Sequence, residues 1–151
     1  MIVFDEPNIS FEYITQKVSS SEKVDVIFVD YIYLMRGRIN KLVLGKQEVE
    51  EIVSDLKYLA EKLDVPIVVV SQLSRTVDGV TDKILLVDSV RKTGFREQDT
   101  DVIIFPYRES YYSNSPDKQG NDWLIIGQSK YGEIGNIPVH WNKEKLIFED
   151  R

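Results

Sequence analysis

The side chains with the clearest chemical use come just after two short apolar runs: Asp30 follows the first run, and Ser71, Gln72 and Arg75 follow the second. A carboxylate at the end of a buried strand can order Mg²⁺, or a water bound to it, beside phosphates. An amide can contact a terminal phosphate, and a guanidinium can pair with phosphate or with an acid. The alternatives are a surface acid that caps the next loop and, for the other three residues, a solvated strand end.

The two apolar runs predict strands that bring these side chains together. Residues 24–29 (VDVIFV) and 65–70 (VPIVVV) are short and β-branched, which is typical of strands buried on both faces of a parallel sheet. Between them, apolar residues recur at helical spacing from Val49 to Leu63, which predicts an amphipathic helix. Strand, helix and strand form a right-handed crossover, so Asp30 and Gln72 are expected at one edge of the sheet.

Further elements are predicted on both sides of this crossover. A short helix is expected over residues 10–19, with Asn8 or Ser10 as its cap. Strands are expected at 101–107, 123–128, 137–141 and 146–148, and the last two form a hairpin. No linker-like or repetitive stretch interrupts the sequence, which favours one α/β domain over residues 1–151.

Composition limits the class of protein. The 151 residues contain no cysteine, so a disulfide framework and a thiolate metal site are excluded. His140 is the only histidine, so a histidine metal site is not expected. No apolar run approaches the roughly 18 residues that cross a bilayer. These features predict a soluble, cytoplasmic protein without a membrane partner.

The net charge of −6 is distributed unevenly along the chain. Residues 1–35 carry −4, residues 36–46 carry +4, and residues 47–64 carry −4 again. The basic stretch includes Arg36 and Arg38, and a second small cluster contains Arg91, Lys92 and Arg96. Such clusters can neutralise the phosphates of a nucleic acid. The alternative for each cluster, taken singly, is a solvated loop.

A phosphate-cradling glycine loop is absent from these 151 residues. No G-x-x-x-x-G-K-[ST] pattern occurs, and none of the eight glycines lies in such a loop. Because that loop supplies the backbone N–H groups that hold phosphates, the chain alone is expected to bind nucleotide poorly.

Four stretches of the sequence together resemble the C-terminal ATPase domain of the DnaB family of replicative DNA helicases. They are VDVIFVDYIYLM at 24–35, the stretch from QEVEEI to VVVSQLSR at 47–75, DSVRKTGFREQDTDVIIFPYRESYY at 88–112 and LIIGQSKYGEIG at 124–135. The resemblance begins after the family's P-loop and catalytic glutamate. It implies the later part of a RecA-like P-loop NTPase core, with a mainly parallel sheet flanked by helices and a C-terminal β-hairpin.

The resemblance also implies a role for individual residues. Asp30 matches the Walker B acid, the metal-ordering residue, and Gln72 matches the glutamine that senses nucleotide and communicates with the DNA loops. Arg91, Lys92 and Gly94 fall on the loop that, in the family, grips the phosphates of single-stranded DNA. Arg36 and Arg38 of the basic stretch are added as candidates. The predicted DNA-binding residues are therefore Arg36, Arg38, Arg91, Lys92 and Gly94.

Two positions of the late strand depart from the family pattern. The family's A-K-x-R-x-G motif reaches the γ-phosphate in the site of the neighbouring subunit, and here its basic residues are replaced by Gln128 and Lys130. Lysine lacks the planar fork of an arginine finger and glutamine lacks a charge, so a weakened contact is expected. The implied nucleotide set is Asp30, Ser71, Gln72, Arg75, Gln128 and Lys130, of which Asp30, Gln72 and Lys130 are the implied catalytic residues.

The implied function is that of part of a replicative helicase, which unwinds duplex DNA by ATP-driven translocation on single-stranded DNA. ATP and Mg²⁺ are the implied cofactors of the complete protein, and the chain alone is expected to be inactive. The implied partners are single-stranded DNA, the other subunits of a ring, and primase or a helicase loader. One alternative is a stand-alone, non-catalytic DnaB-like module that joins or regulates a ring. A recombinase- or KaiC-like relative is a further alternative, against which EQDTD at 97–101 and YRESYY at 107–112 argue.

Overall fold

The structure is a computed structural model, and it describes residues 1–6, 8–21, 23–36, 45–73, 83–112 and 122–151. The described residues form two compact units, one within 1–72 and 92–99 and the other within 73–91 and 100–151. No helix in these ranges is long and apolar enough to span a membrane. The helices are α1 (Phe11–Ser19), α2 (Lys46–Leu63), α3 (Lys83–Lys92) and α4 (Glu109–Tyr112). The strands are β1 (Ile27–Val29), β2 (Ile67–Val69), β3 (Val102–Arg108), β4 (Asp122–Ser129), β5 (Gly135–Asn142) and β6 (Ile147–Asp150).

Helix α1 begins where the sequence predicts. Ser10 is the N-cap, and its Oγ accepts a hydrogen bond of 3.3 Å from the backbone N–H of Tyr13. That bond satisfies one of the N–H groups that a helix start leaves without a partner inside the helix. Of the two cap candidates, Ser10 rather than Asn8 therefore starts the helix.

The predicted amphipathic helix is confirmed as α2, which forms the core of the first unit. Its start is closed by Glu48, whose carboxylate accepts a hydrogen bond of 2.6 Å from the backbone N–H of Gly45. At its end, Asp64 adopts a left-handed conformation with φ of 52°, which turns the chain towards β2. The buried apolar residues of the helix recur at the expected spacing and are Val49, Ile52, Val53, Leu56 and Leu59.

Strands β1 and β2 pair in parallel, as the sequence predicts, with Ile27 opposite Ile67 and Phe28 opposite Val68. The prediction that both faces are buried is wrong. Phe28 and Val68 lie on the same face of the pair and are 69% and 44% exposed. Successive side chains of a strand point to opposite faces, so Val29 lies on the other face, where it is buried. Helix α2 contacts β2.

The second unit is built on an antiparallel sheet with the strand order β3-β4-β5-β6. The predicted hairpin of the last two strands is confirmed as β5 and β6. Strand β4 contains Gly127, where a Cβ atom would lie 2.6 Å from the ring of Phe105 and 2.8 Å from Val87. Glycine at this position lets a side chain of α3 pack close to the sheet. Strands β2 and β3 belong to separate sheets.

Candidate functional site

The carboxyl ends of β1 and β2 lie side by side in the first unit. The backbone N–H of Val70 donates to the carbonyl of Val29 (2.9 Å), and the N–H of Ile32 donates to the carbonyl of Val70 (3.1 Å). These bonds continue the parallel pairing past the end of each strand. By this register Asp30 lies opposite Val70, so Asp30, Ser71 and Gln72 all follow the carboxyl ends of the parallel pair, the edge of the sheet at which the sequence predicts them.

The surroundings of Asp30 fix its backbone and leave its side chain in solvent. Val29 before it is buried, and Ile32 after it is completely buried at the start of a 3-10 turn, Ile32–Leu34. The Asp30–Tyr31 peptide bond is cis. Asp30 and Gln72 are exposed, and Ser71 is half-buried. The edge thus presents a carboxylate, a hydroxyl and an amide to solvent.

The donor set at this edge fits Mg²⁺ only together with phosphate. Within the described residues, no group of three or more His, Asp or Glu side chains could hold a metal ion by itself. Mg²⁺ demands an octahedral oxygen shell and is commonly held by one or two carboxylates together with phosphate oxygens and waters. Asp30 can supply one such carboxylate.

The structure places the predicted DNA-binding residues in different settings. Arg38, like Arg75 of the nucleotide set, lies outside the described residues. Arg36 is exposed, and its backbone N–H donates to the carbonyl of Ile9 at 2.9 Å. Arg91 and Lys92 are also exposed, and Arg91 lies 3.5 Å from Asp88.

The resemblance implies that Arg91 and Lys92 lie in a loop. This prediction is wrong, because these two residues form the end of α3. The sequence nevertheless contains a helical signal at this position. Leu86, Val87 and Val90 are buried at positions i, i+1 and i+4, which is the spacing of one helix face. Basic residues at a helix C-terminus interact favourably with the helix dipole, so Arg91 and Lys92 suit this position.

Gly94 is buried against α2. Its φ is +117°, and a Cβ atom there would lie 2.7 Å from the carbonyl oxygen of Lys46 and 2.8 Å from the Cβ of Val49. Only glycine can combine this backbone conformation with so close an approach. Gly94 therefore fixes the packing of the chain after α3 against the start of α2.

Gln128 and Lys130 lie at the end of β4 and contact the two residues that precede β3. The Gln128 side-chain amide donates to the carbonyl oxygen and the Oγ1 of Thr100, both at 3.0 Å. The Lys130 ammonium lies 3.1 Å from a carboxylate oxygen of Asp101. Gln128 is in β4 and Lys130 directly follows the strand, and their polar ends contact two successive residues, Thr100 and Asp101.

A pocket of about 240 Å³ in the second unit was not predicted from the sequence. The Arg108 guanidinium stacks over the Trp141 ring at 4.4 Å from its centre and lies 5.9 Å from the centre of the Tyr111 ring. Pro106 and Phe148 complete the lining. Arg108 and Trp141 are far apart in sequence, and no local pattern links them. Their meeting depends on the register of the antiparallel sheet.

The parallel strand pair, joined by α2 and ending in a polar edge, is the arrangement expected of an α/β protein with a RecA-like fold. The model of the DnaB-like helicase C terminal domain family matches residues 1–150. The chain belongs to this family.

Sequence relatives agree with this assignment. The replicative DNA helicase DnaB of Geobacillus stearothermophilus is 33% identical over 93% of this chain and 32% of its own length. The DnaB helicase of Rickettsia felis is 29% identical, with the same coverage of 93% and 32%. The chain thus spans about a third of the length of these relatives.

Solved structures show the same fold. One of them, an ATPase domain, superposes with a TM-score of 0.82 and 30% identity, over 98% of this chain and 54% of that domain. The second is a DnaB-like replicative helicase that was solved in a study of its interactions with primase. It superposes with a TM-score of 0.81 and 30% identity, over 98% of this chain and 37% of that protein. The predicted RecA-like fold and the resemblance to the DnaB family are confirmed.

Proposed function

We propose that this chain forms the later part of the ATPase domain of a replicative DNA helicase, which acts as a ring in the cytoplasm on single-stranded DNA. The observation that best supports this proposal is the parallel pairing of β1 and β2, because Asp30 follows the carboxyl end of one strand, and Ser71 and Gln72 follow that of the other. ATP and Mg²⁺ are the proposed cofactors of the complete helicase. The proposed partners are the other subunits of the ring, together with primase or a helicase loader.

At the shared edge, Asp30 orders Mg²⁺ or a water bound to it, and the Gln72 amide donates to the terminal phosphate. When bound, ATP supplies the phosphate bond that is hydrolysed, and Mg²⁺ supplies part of the charge stabilisation. Ser71 adds a hydroxyl to the same edge, and Arg75, which follows four residues later in the sequence, is the proposed source of a guanidinium for the nucleotide. The exposed positions of Asp30 and Gln72 support these roles, because a nucleotide can reach both side chains without unfolding the strands.

Lys130 reaches the phosphates of a nucleotide held by the neighbouring subunit, with Gln128 beside it. An ammonium is a point charge and cannot form the two-pronged contact of an arginine. The contribution of Lys130 to transition-state stabilisation is therefore smaller than that of an arginine finger.

The pocket beside Arg108 accepts the planar base of a nucleotide. A guanidinium and aromatic rings present flat faces on which a base can stack, and the pocket has a volume of about 240 Å³. Trp123 and Trp141 are the two tryptophans of the chain, so their fluorescence can be separated by substitution.

The base-binding role is tested on the isolated chain by titration with adenosine. Adenosine should quench the fluorescence of the Trp123→Phe variant, which retains Trp141. It should leave the Trp141→Phe variant, which retains Trp123, unchanged. Equal quenching of both variants, or of neither, would exclude the pocket as the base site.

The role of Asp30 is tested in a helicase that also contains the P-loop. Asp30→Asn should abolish ATP hydrolysis, because the neutral amide orders Mg²⁺ poorly. Asp25→Asn is a matched control, since Asp25 is an exposed carboxylate near β1 that pairs with Lys23 at 2.9 Å. Retention of hydrolysis by the Asp30→Asn ring would refute the proposal. The isolated chain should hydrolyse no ATP above background.

The exposed cations at the end of α3 contact the phosphates of single-stranded DNA, and Arg36 is a further proposed contact. In a plot of log affinity for single-stranded DNA against log salt concentration, replacing both Arg91 and Lys92 by alanine should reduce the slope by roughly 1.4. Each phosphate contact on a single strand contributes about 0.7 to this slope. Lys23→Ala removes one exposed cation outside α3 and should leave the slope unchanged. A double variant with the parent slope would remove Arg91 and Lys92 from the DNA site.

A further inference from the structure

Asp101 holds Lys130 at two points. The backbone N–H of Lys130 donates to the carbonyl of Asp101 at 2.9 Å, and the Lys130 ammonium lies 3.1 Å from the Asp101 carboxylate. The first bond continues the antiparallel pairing of β3 and β4 by one step. The second neutralises the charge that is proposed to reach a phosphate.

The neighbouring contact fixes the geometry of this pair. Gln128 lies in β4, two residues before Lys130, and its side-chain amide donates to the carbonyl oxygen and the Oγ1 of Thr100, both at 3.0 Å. Thr100 directly precedes Asp101, so the backbone that carries the carboxylate is anchored to the same strand as the ammonium. The glutamine that replaces a basic residue of the family thus acts as an anchor between the two segments.

The Lys130–Asp101 ion pair is strong enough to orient the ammonium and weak enough to be exchanged. The two side chains are 34% and 35% exposed, so water and salt reach both charges. Ion pairs in such surroundings shift an equilibrium by about two- to fivefold. A polyphosphate carries several negative charges and forms stronger charge-assisted hydrogen bonds than a single carboxylate in solvent.

We propose that Asp101 is a positioning residue for the phosphate contact of Lys130. It holds the ammonium at the end of β4 when no phosphate is present and releases it to the phosphates of a nucleotide. Each phosphate contact made by Lys130 then requires loss of the Asp101 pair, so Asp101 lowers the affinity for polyphosphate and favours its release. This inference rests on the phosphate role of Lys130 proposed above.

The test uses the isolated chain and tripolyphosphate at low ionic strength, with dissociation constants taken from NMR shifts of assigned backbone amides. Asp101→Asn keeps the shape of the side chain and removes its charge, so it should tighten binding about two- to fivefold. Asp101→Glu restores the charge and should return the affinity to that of the parent. Glu149→Gln is a matched control, because Glu149 pairs with Lys145 at 2.9 Å in the same unit. It should change the affinity by less than about 1.5-fold, as expected for a distant, screened charge.

The Lys130→Met background separates the positioning role of Asp101 from the phosphate role of Lys130. If Asp101 acts through Lys130, the effect of Asp101→Asn disappears when Lys130 is methionine. A tightening of the same size in both backgrounds would overturn the positioning role, because it would be a general charge effect. If Lys130→Met weakens binding but Asp101→Asn changes nothing, the positioning role fails while the phosphate role of Lys130 stands. If Lys130→Met changes nothing in either background, both proposals fail.

Discussion

Replacement of Gly94 by alanine should destabilise the protein strongly. Alanine at a φ of +117° is strained by about 1–3 kcal/mol. Its Cβ would lie 2.7 Å from the Lys46 carbonyl oxygen and 2.8 Å from the Val49 Cβ, and such overpacking costs about 1–3 kcal/mol more. Loss of conformational freedom in the unfolded chain returns roughly 0.4–1 kcal/mol. The expected decrease in the free energy of unfolding is therefore about 1–6 kcal/mol, a large part of the typical 5–15 kcal/mol.

Urea denaturation followed by circular dichroism measures this change. Gly135→Ala is the matched control, because a Cβ atom at Gly135 would meet nothing within 4 Å. That variant should unfold at the parent urea concentration or slightly above it, since alanine loses less backbone entropy on folding than glycine. A Gly94→Ala variant within about 0.5 kcal/mol of the parent would refute the packing role of Gly94, since surface substitutions typically fall in that range.

Three further substitutions test other contacts of the fold. Leu59→Ala should lower the free energy of unfolding by about 2–5 kcal/mol in the same urea assay, because Leu59 is only 1% exposed in the core of the first unit; a loss below about 1 kcal/mol would contradict its placement. Ser10→Ala removes the cap of α1 and should cost about 1 kcal/mol, whereas Ser10→Asn, which can also cap, should cost much less. Hydrogen bonds from Lys145 and Asn142 hold the pKa of Glu149 below its ordinary value. The stability that Glu149 contributes is thus complete above about pH 5 and is lost as the pH falls through the lowered pKa. Thermal unfolding from about pH 6 to about pH 3 should show a steeper loss for the parent than for Glu149→Gln, and parallel curves would exclude this contribution.

Local patterns of the sequence were sufficient for most of the elements. The spacing of apolar residues between Val49 and Leu63 predicted α2, and two β-branched runs predicted β1 and β2. These signals are local because a helix face and a strand each need only a few residues with the right period. Helix α3 was missed because its apolar run is short and ends in a basic cluster that suggested a loop.

The shared edge of Asp30 and Gln72 also followed from the sequence. Parallel strands joined by a helix must end at the same side of their sheet, so the order of elements already specifies which side chains meet. The chemical type of those side chains then favoured phosphate and Mg²⁺. The resemblance to the DnaB family added the individual roles.

The sequence by itself determined the elements, the polar edge of the parallel pair and the family. The tertiary structure decided the features that depend on non-local register and close packing. The meeting of Arg108 with Trp141 and the pairing of Lys130 with Asp101 require the alignment of β3 to β6, which many distant contacts set together. The role of Gly94 is visible only from the carbonyl of Lys46 that lies against it, because the space around a residue belongs to its neighbours in the fold and not to its neighbours in the chain.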